Sequence, residues 1–348
     1  MYDEIVEATL KNADVRVPWI FIELATFFTN ALLIFYHLGV SSVYVDFIGD
    51  VMREIMKLEE TNHPAAYTML FFPLFMLLNL TKDLHDMISK SIAGNILILN
   101  VIIVSLVCAF NSNTSDSWTM LRNDIFLYPR FIGIVFYSLS SPGLVLAIEH
   151  STSNSYNYTK FHKALDQGMI LITCLHLVVG IVGYLKWGSN VSENFIRDIQ
   201  KEAEGYALIA FIMQALAIYL TYGLQCYVPI SIFLKQYGMP AMKYGTCKGT
   251  LYLWDLIVRF AVTLVSSGIL PMLIPKLRLR VALLGVTCNF ILTLLLPLVL
   301  HMLLFINDLG ETVIRNRKVI VGILSIVLAC VLALCCFITE LSLIFKKI

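Results

Sequence analysis

About nine stretches of apolar residues, of the order of the twenty that cross the hydrocarbon core of a bilayer as a helix and the second of them shorter, are strung along this chain of 348 residues. They fall at about Trp19 to Tyr44, Ala65 to Leu80, Ile88 to Phe110, Phe126 to Glu149, Gly168 to Trp187, Tyr206 to Leu234, Leu251 to Leu273, Arg280 to Ile306 and Val319 to Phe345. A backbone in lipid has no water to satisfy its N–H and C=O groups, so such runs are read as membrane helices. The expected fold class is all-α: a polytopic membrane protein forming a single transmembrane domain over residues 1–348, with residues 1–17 ahead of the bundle. The composition agrees. The chain is 58% hydrophobic and 14% charged, where soluble domains carry about a quarter charged residues. Nucleic-acid binders, soluble enzymes and disordered scaffolds are excluded, and the net charge of +1 provides no field to recruit polyanions.

Seven of the eight cysteines sit inside apolar runs, with only Cys247 in a polar connection, so neither a disulfide framework nor a CxxC metal pair is expected. Cys335 and Cys336 are read as packed within the last span. The first seventeen residues mix acids and bases with no apolar core, which excludes a cleavable signal. The connection DFIGDVMREIMKLEETNH after the first span reads as a surface helix. Three sequons lie in connections, at Asn113, Asn157 and Asn190. With nine alternating spans, Asn113 and Asn190 share one side of the membrane and Asn157 lies on the other, so Asn113 and Asn190 are the glycosylation candidates. Lys and Arg divide almost evenly between the two sets of loops, which leaves orientation undecided.

Ionisable groups inside spans are costly and are the default functional candidates. They are Glu23, His37, Arg130, His176, Asp255, Arg259, His301 and Glu340. Asp255 and Arg259 are four apart on one helix face, which suits a local ion pair more than a proton pathway. Glu23 and Glu340 lie near span ends and reach the interface. His37 and His176 lie deeper, and histidine titrates nearest neutrality; each is read either as a hydrogen-bonded packing residue or as a carrier of a coupling proton.

The fourth span is interrupted by Ser138-Leu139-Ser140-Ser141-Pro142-Gly143, a stretch of poor helix propensity in which Pro142 lacks a backbone donor. Two readings stay open: a proline kink in one helix, or a broken helix. The broken helix offers N–H groups to a carboxylate and carbonyls to an ammonium, the two ends of an amino acid.

These residues resemble a known family, the amino acid/auxin permeases, and within it the proton-coupled amino acid transporter branch of animals. Thr221 to Pro229 (TYGLQCYVP) resembles that branch's eighth-helix motif, with Cys226 where an aromatic residue is usual. Gly180 to Gly188 (GIVGYLKWG) is similar to the end of the seventh helix, and Gly143 to Glu149 (GLVLAIE) to the end of the sixth. Arg259, Leu284-Gly285 and Pro297 fit the ninth and tenth helices, and Ser91 to Asn95 the start of the fifth. The resemblance runs from about residue 20 to the end of the chain. It departs from the family pattern at Ser140, where an acidic residue is common, and at Ala147, where a proline is. His37 and His176 likewise replace a common glutamine and a common tyrosine.

The resemblance implies a LeuT-type inverted-repeat bundle, equivalent over residues 18–348 to the family's third to eleventh helices. The segment 1–17 is similar to the one that leads into the third helix, so the first two helices are expected to lie outside this chain, with a partner protein or subunit covering their place. The amino terminus is then cytoplasmic, and Asn113 and Asn190 face outside or a lumen. The implied function is secondary transport of a small neutral amino acid, symported with protons by alternating access; no catalysis, metal or cofactor is implied beyond a proton or sodium gradient. Ser138, Leu139, Ser140, Ser141, Pro142 and Gly143 would hold the substrate, with Tyr44, Tyr222 and Gln225 lining the opposite wall. His37, His176 and Glu149 are the proton-coupling candidates. Residence in the plasma membrane or a lysosomal or endosomal membrane is expected. The alternative is a non-transporting truncated isoform or an amino-acid-sensing scaffold. An ion channel is disfavoured because no repeated filter is visible, and a seven-helix receptor by the span count.

Overall fold

Amphipathic spacing shapes the first element: in α1 (Tyr2–Lys11) the residues Tyr2, Val6 and Leu10, four apart, are the buried ones. The computed structural model describes residues 2–13, 17–56, 71–111, 128–139, 142–152, 163–192, 194–200, 203–238, 248–273, 277–305, 320–327, 330–331, 334–335 and 337–339. Among these residues every regular element is helical. After α1 come α2 (Trp19–Met56), α3 (Phe72–Asn79), α4 (Leu84–Asn111), α5 (Tyr128–Leu139), α6 (Pro142–Ser151), α7 (Ala164–Trp187), α8 (Phe195–Gln200) and α9 (Glu204–Ile232). The helix α10 starts as Lys248–Leu264 and continues through a π turn, Val265–Ile269, into Leu270–Leu273. The helix α11 starts as Leu277–Leu284 and passes through two π turns, Gly285–Asn289 and Ile291–Leu295, into Leu296–Phe305.

Seven runs among the described residues are long and apolar enough to cross a membrane. They coincide with seven of the nine expected spans, and the chain is an all-α, polytopic membrane protein. The expected spans at 65–80 and 319–345 lie partly outside the described residues. Within the last of these Cys335 is exposed, which corrects its reading as a packed residue. Cys336 is outside the described residues.

The charged connection after the first span is a second correction. It is not a separate surface helix over its described part: α2 continues unbroken to Met56. Its apolar side is buried, because Val51, with Phe47 and Ile55 beside it, packs against Val101, Ile196, Ile199, Ala207 and Phe211. The charges of this stretch occupy the other side, where Arg53 pairs with Asp50 at 3.4 Å.

The chain divides into two compact units, Met1–His37 with Asp124–Ser155 and Leu279–Ile348, and Leu38–Asn123 with Tyr156–Arg278. In the first unit α5 and α11 meet at two glycines. A Cβ on Gly285 would overlap the Gly133 carbonyl oxygen, and one on Gly133 would stand 2.7 Å from the Ala282 oxygen. Small residues at such crossings are the usual route to close helix contact in lipid, where hydrophobic burial adds little between helices. The Tyr2 hydroxyl, donating to the Leu292 carbonyl at 2.5 Å, ties α1 to α11, and its burial pushes its pKa up to about 12. In the second unit α4 and α9 make a similar crossing, where a Cβ on Gly94 would meet the Ala217 oxygen at 2.9 Å. The helix α7 ends at Gly188, whose φ of 61° is a conformation L side chains rarely adopt.

Candidate functional site

Within the first unit, the interruption expected in the fourth span includes Ser140 and Ser141, which lie outside the described residues. Helix is described on both sides of them, to Leu139 and from Pro142, within one run of spanning length from Arg130 to Ser151. Ser138 is exposed and donates to the Val135 carbonyl at 3.1 Å, and Leu139 is half-buried. Pro142 and Gly143 are buried.

His37 is brought to Gly143. It is fully buried, with a relative exposure of 0%, and its ring lies directly over Gly143. A Cβ on Gly143 would collide with Nε2 and approach Cδ2 of His37 and Cδ2 of Leu33 to 3.2 Å each. Only a glycine leaves room for the imidazole at the start of α6. Glu149 stands near the other end of α6 and is half-buried.

The unit holding the later part of α2 places the other expected residues. Tyr44 is half-buried and accepts a bond from Gln225 Nε2 on α9 at 3.5 Å. Tyr222 is fully buried and packs against the Phe75 ring, centroids 4.7 Å apart and planes tilted by 50°. Its hydroxyl is shared with Ser266 Oγ at 2.7 Å, inside the π turn of α10. One turn from it, Cys226 Sγ lies 3.4 Å from Ser41 Oγ, and Asn79 Nδ2 donates to Thr263 Oγ1 at 2.8 Å. Tyr222 thus belongs to a buried polar set joining α2, α3, α9 and α10. His176, by contrast, is exposed on α7, with Nδ1 2.8 Å from the Ile172 carbonyl.

Asp255 and Arg259 form the expected ion pair, Nε to Oδ1 at 2.7 Å, and it has further partners. Lys82 Nζ reaches Asp255 Oδ2 at 2.7 Å. The Arg259 guanidinium also donates to the carbonyls of Asn79 at 2.5 Å and Thr81 at 3.1 Å. Those carbonyls lie at and just beyond the end of α3, where no in-helix donor remains, so the arginine closes a helix end and not only a charge pair.

Of the glycosylation candidates, Asn113 lies outside the described residues, as does Asn157. Asn190 ends a single 3-10 turn (Gly188–Asn190). The hydroxyl of its sequon serine, Ser192, donates to Asp198 Oδ1 at 2.6 Å. Among the described residues no group of three or more His, Cys, Asp or Glu is placed to hold a metal.

Two residues at these positions escaped a search confined to ionisable groups. Asn79 and Asn289 are fully buried amides, and Asn289 Nδ2 donates to the carbonyl of Phe136 on α5. Their signal was an amide inside an otherwise apolar run.

Comparison with known proteins places this arrangement. The family model described as transmembrane amino acid transporter protein matches residues 21–345. A Drosophila melanogaster protein named "Proton-coupled amino acid transporter-like protein pathetic" is 26% identical over 175 residues, covering 50% of this chain and 36% of its own length. The Caenorhabditis elegans "Probable amino acid transporter skat-1" is 23% identical over 319 residues, 87% of this chain and 66% of its own length. "Vacuolar amino acid transporter 3" of Schizosaccharomyces pombe is 23% identical over 283 residues, 78% of this chain and 41% of its own length. The chain therefore spans less than two thirds of the length of each of these relatives. With the match extending over nearly the whole sequence, the chain belongs to the transmembrane amino acid transporter protein family.

Proposed function

We propose that this chain carries out secondary active transport of small neutral amino acids, driven by protons through alternating access. Family membership and the names of its relatives support amino acids as the substrate. The observation that carries the reading is the buried pair Pro142 and Gly143, in the Ser/Pro/Gly interruption of the fourth span, lying under the fully buried His37. On this reading the helix is broken at that interruption, so that carbonyls on one side favour an ammonium and N–H groups on the other a carboxylate. An α-amino acid carries both charges one carbon apart. On this reading Ser138 to Gly143 bind the substrate backbone.

Burial separates the coupling candidates. His176 is exposed and occupied with the carbonyl of its own preceding turn, and Glu149 lies a full helix from the interruption. His37 is buried against the first turn of α6, so we assign it the coupling proton. A proton there and a substrate carboxylate held beside Gly143 attract one another, which links the two binding events. The printed name of the Schizosaccharomyces pombe relative supports residence in an intracellular membrane.

Replacing Pro142 by Ala together with Ser140 by Leu tests the site. Continuous helix propensity and an apolar residue across the interruption are expected to abolish radiolabelled amino acid uptake while the amount of inserted protein stays near wild type. Normal uptake by the double variant would overturn the assignment.

A further inference from the structure

We infer that the outward side of α1 lines a water-filled vestibule that reaches the middle of the membrane. Both α1 and α11, on which it packs, belong to the first unit, and neither carries the substrate residues proposed above. The Tyr2 hydroxyl donates to the carbonyl of Leu292, and Leu292 is at the midpoint of the 26-residue span Leu279–Leu304. The helix α1 also packs on Leu296–Phe305, the later part of the same helix. A helix advances about 1.5 Å per residue, so residues 4 to 8 lie about 3–9 Å along α1 from Tyr2, whichever way α1 runs. Half of a hydrocarbon core is about 15 Å thick. These residues therefore lie at hydrocarbon depth, where a helix resting on the membrane surface does not reach.

What α1 exposes at that depth does not suit lipid. Tyr2, Val6 and Leu10 are buried, whereas Glu4, Lys11 and Asn12 are exposed and Asp3 and Glu7 half-buried. Ile5 is the one large apolar side chain that α1 exposes. Lys11 Nζ pairs with Glu7 Oε1 at 2.5 Å on the exposed side. The lipid-facing side of α7 is different in kind, with Ile170, Leu171, Leu177, Val178 and Ile181 exposed. Charged side chains at membrane depth face protein or a watery cavity, and Glu4 is exposed among the described residues, which leaves water. His301, on the part of α11 that α1 packs on, is exposed as well. Three acids against one lysine give the vestibule a negative field, which draws cations toward mid-membrane and holds anions back.

Ala8→Cys tests this in proteoliposomes with a membrane-impermeant cationic methanethiosulfonate on both sides, labelling being read residue by residue. Ala8 is exposed, and its replacement keeps every charge of α1. Cys174 is the internal control, because it is exposed near the middle of α7 on the apolar side. Ala8→Cys is expected to react at least about tenfold faster than Cys174, since the reactive thiolate forms in water and not in lipid. Val6→Cys, on the buried side, should stay as slow as Cys174. At low salt the cationic reagent should outpace an anionic one of similar size about threefold or more at Ala8→Cys. The difference should vanish near 1 M salt, where the screening length falls to about 3 Å. Labelling of Ala8→Cys no faster than Cys174 would overturn the inference, because lipid or another helix would then cover α1. Equal rates for the two reagents at low salt would overturn its acidic part. Should Val6→Cys fail to insert, the comparison of Ala8→Cys with Cys174 decides alone. Labelling needs no uptake, so a failure of the transport reading is seen separately.

Discussion

Gly143→Ala is expected to reduce amino acid uptake by more than about tenfold, although it adds a single methyl group. The new Cβ would fall on the His37 ring, with Leu33 Cδ2 at 3.2 Å on the same side. His37 has no exposed edge into which to rotate, and overpacking of this kind costs roughly 1–3 kcal/mol. The strain is relieved by moving either the imidazole or the first turn of α6, and both belong to the proposed site. Adding His37→Ala to Gly143→Ala separates space from chemistry. The double variant should regain the thermal stability that Gly143→Ala loses, because the collision is gone. It should not regain proton-driven uptake, because the assigned proton carrier is gone as well. Uptake restored to wild-type level in the double variant would make His37 a packing residue only.

The second large effect is expected at Arg259. Arg259→Leu removes the buried one of two partners of a carboxylate whose side chain is 13% exposed, and it takes the donor from the carbonyls of Asn79 and Thr81 at the end of α3. Breaking a buried pair from one side costs about 3–5 kcal/mol, and leaving the carbonyls at the end of α3 without this donor adds to it. The amount of folded protein recovered in detergent should fall severalfold, and its melting temperature should drop. Lys82→Ala is the contrasting variant. Lys82 pairs with the same carboxylate, but its side chain is 54% exposed, so about 0–1 kcal/mol is expected. Equal losses from the two variants would show that Arg259 acts as a surface charge and not as the closure of α3.

Much of this architecture was legible in the residues because a membrane leaves few options. Apolar runs of spanning length became helices, and the i,i+4 spacing of Asp255 and Arg259 became an ion pair. The misreadings have physical causes. Asp46, Asp50 and Arg53 made the end of α2 look like a surface connection, but Val51 with Phe47 and Ile55 forms an apolar face that is buried against α4, α8 and α9. Charge content hid the periodicity. Asn79, Asn289 and Ser266 were overlooked because attention fell on groups that ionise, whereas in lipid an amide or hydroxyl inside a span also demands a partner. Gly133 and Gly285 carried no signal, since a glycine in a helix reads only as weak propensity until the backbone crossing it permits is seen. The collision point between His37 and Gly143 was equally invisible, because the two are far apart in the chain and nothing in either local pattern announces the other.

The central claim is that this chain moves amino acids with protons, and its most direct test is radiolabelled uptake of a small neutral amino acid into proteoliposomes holding the purified chain, with and without an inward proton gradient. The account predicts uptake above protein-free vesicles that rises severalfold when the gradient is imposed and collapses when a protonophore dissipates it. Uptake indistinguishable from protein-free vesicles under both conditions would contradict it.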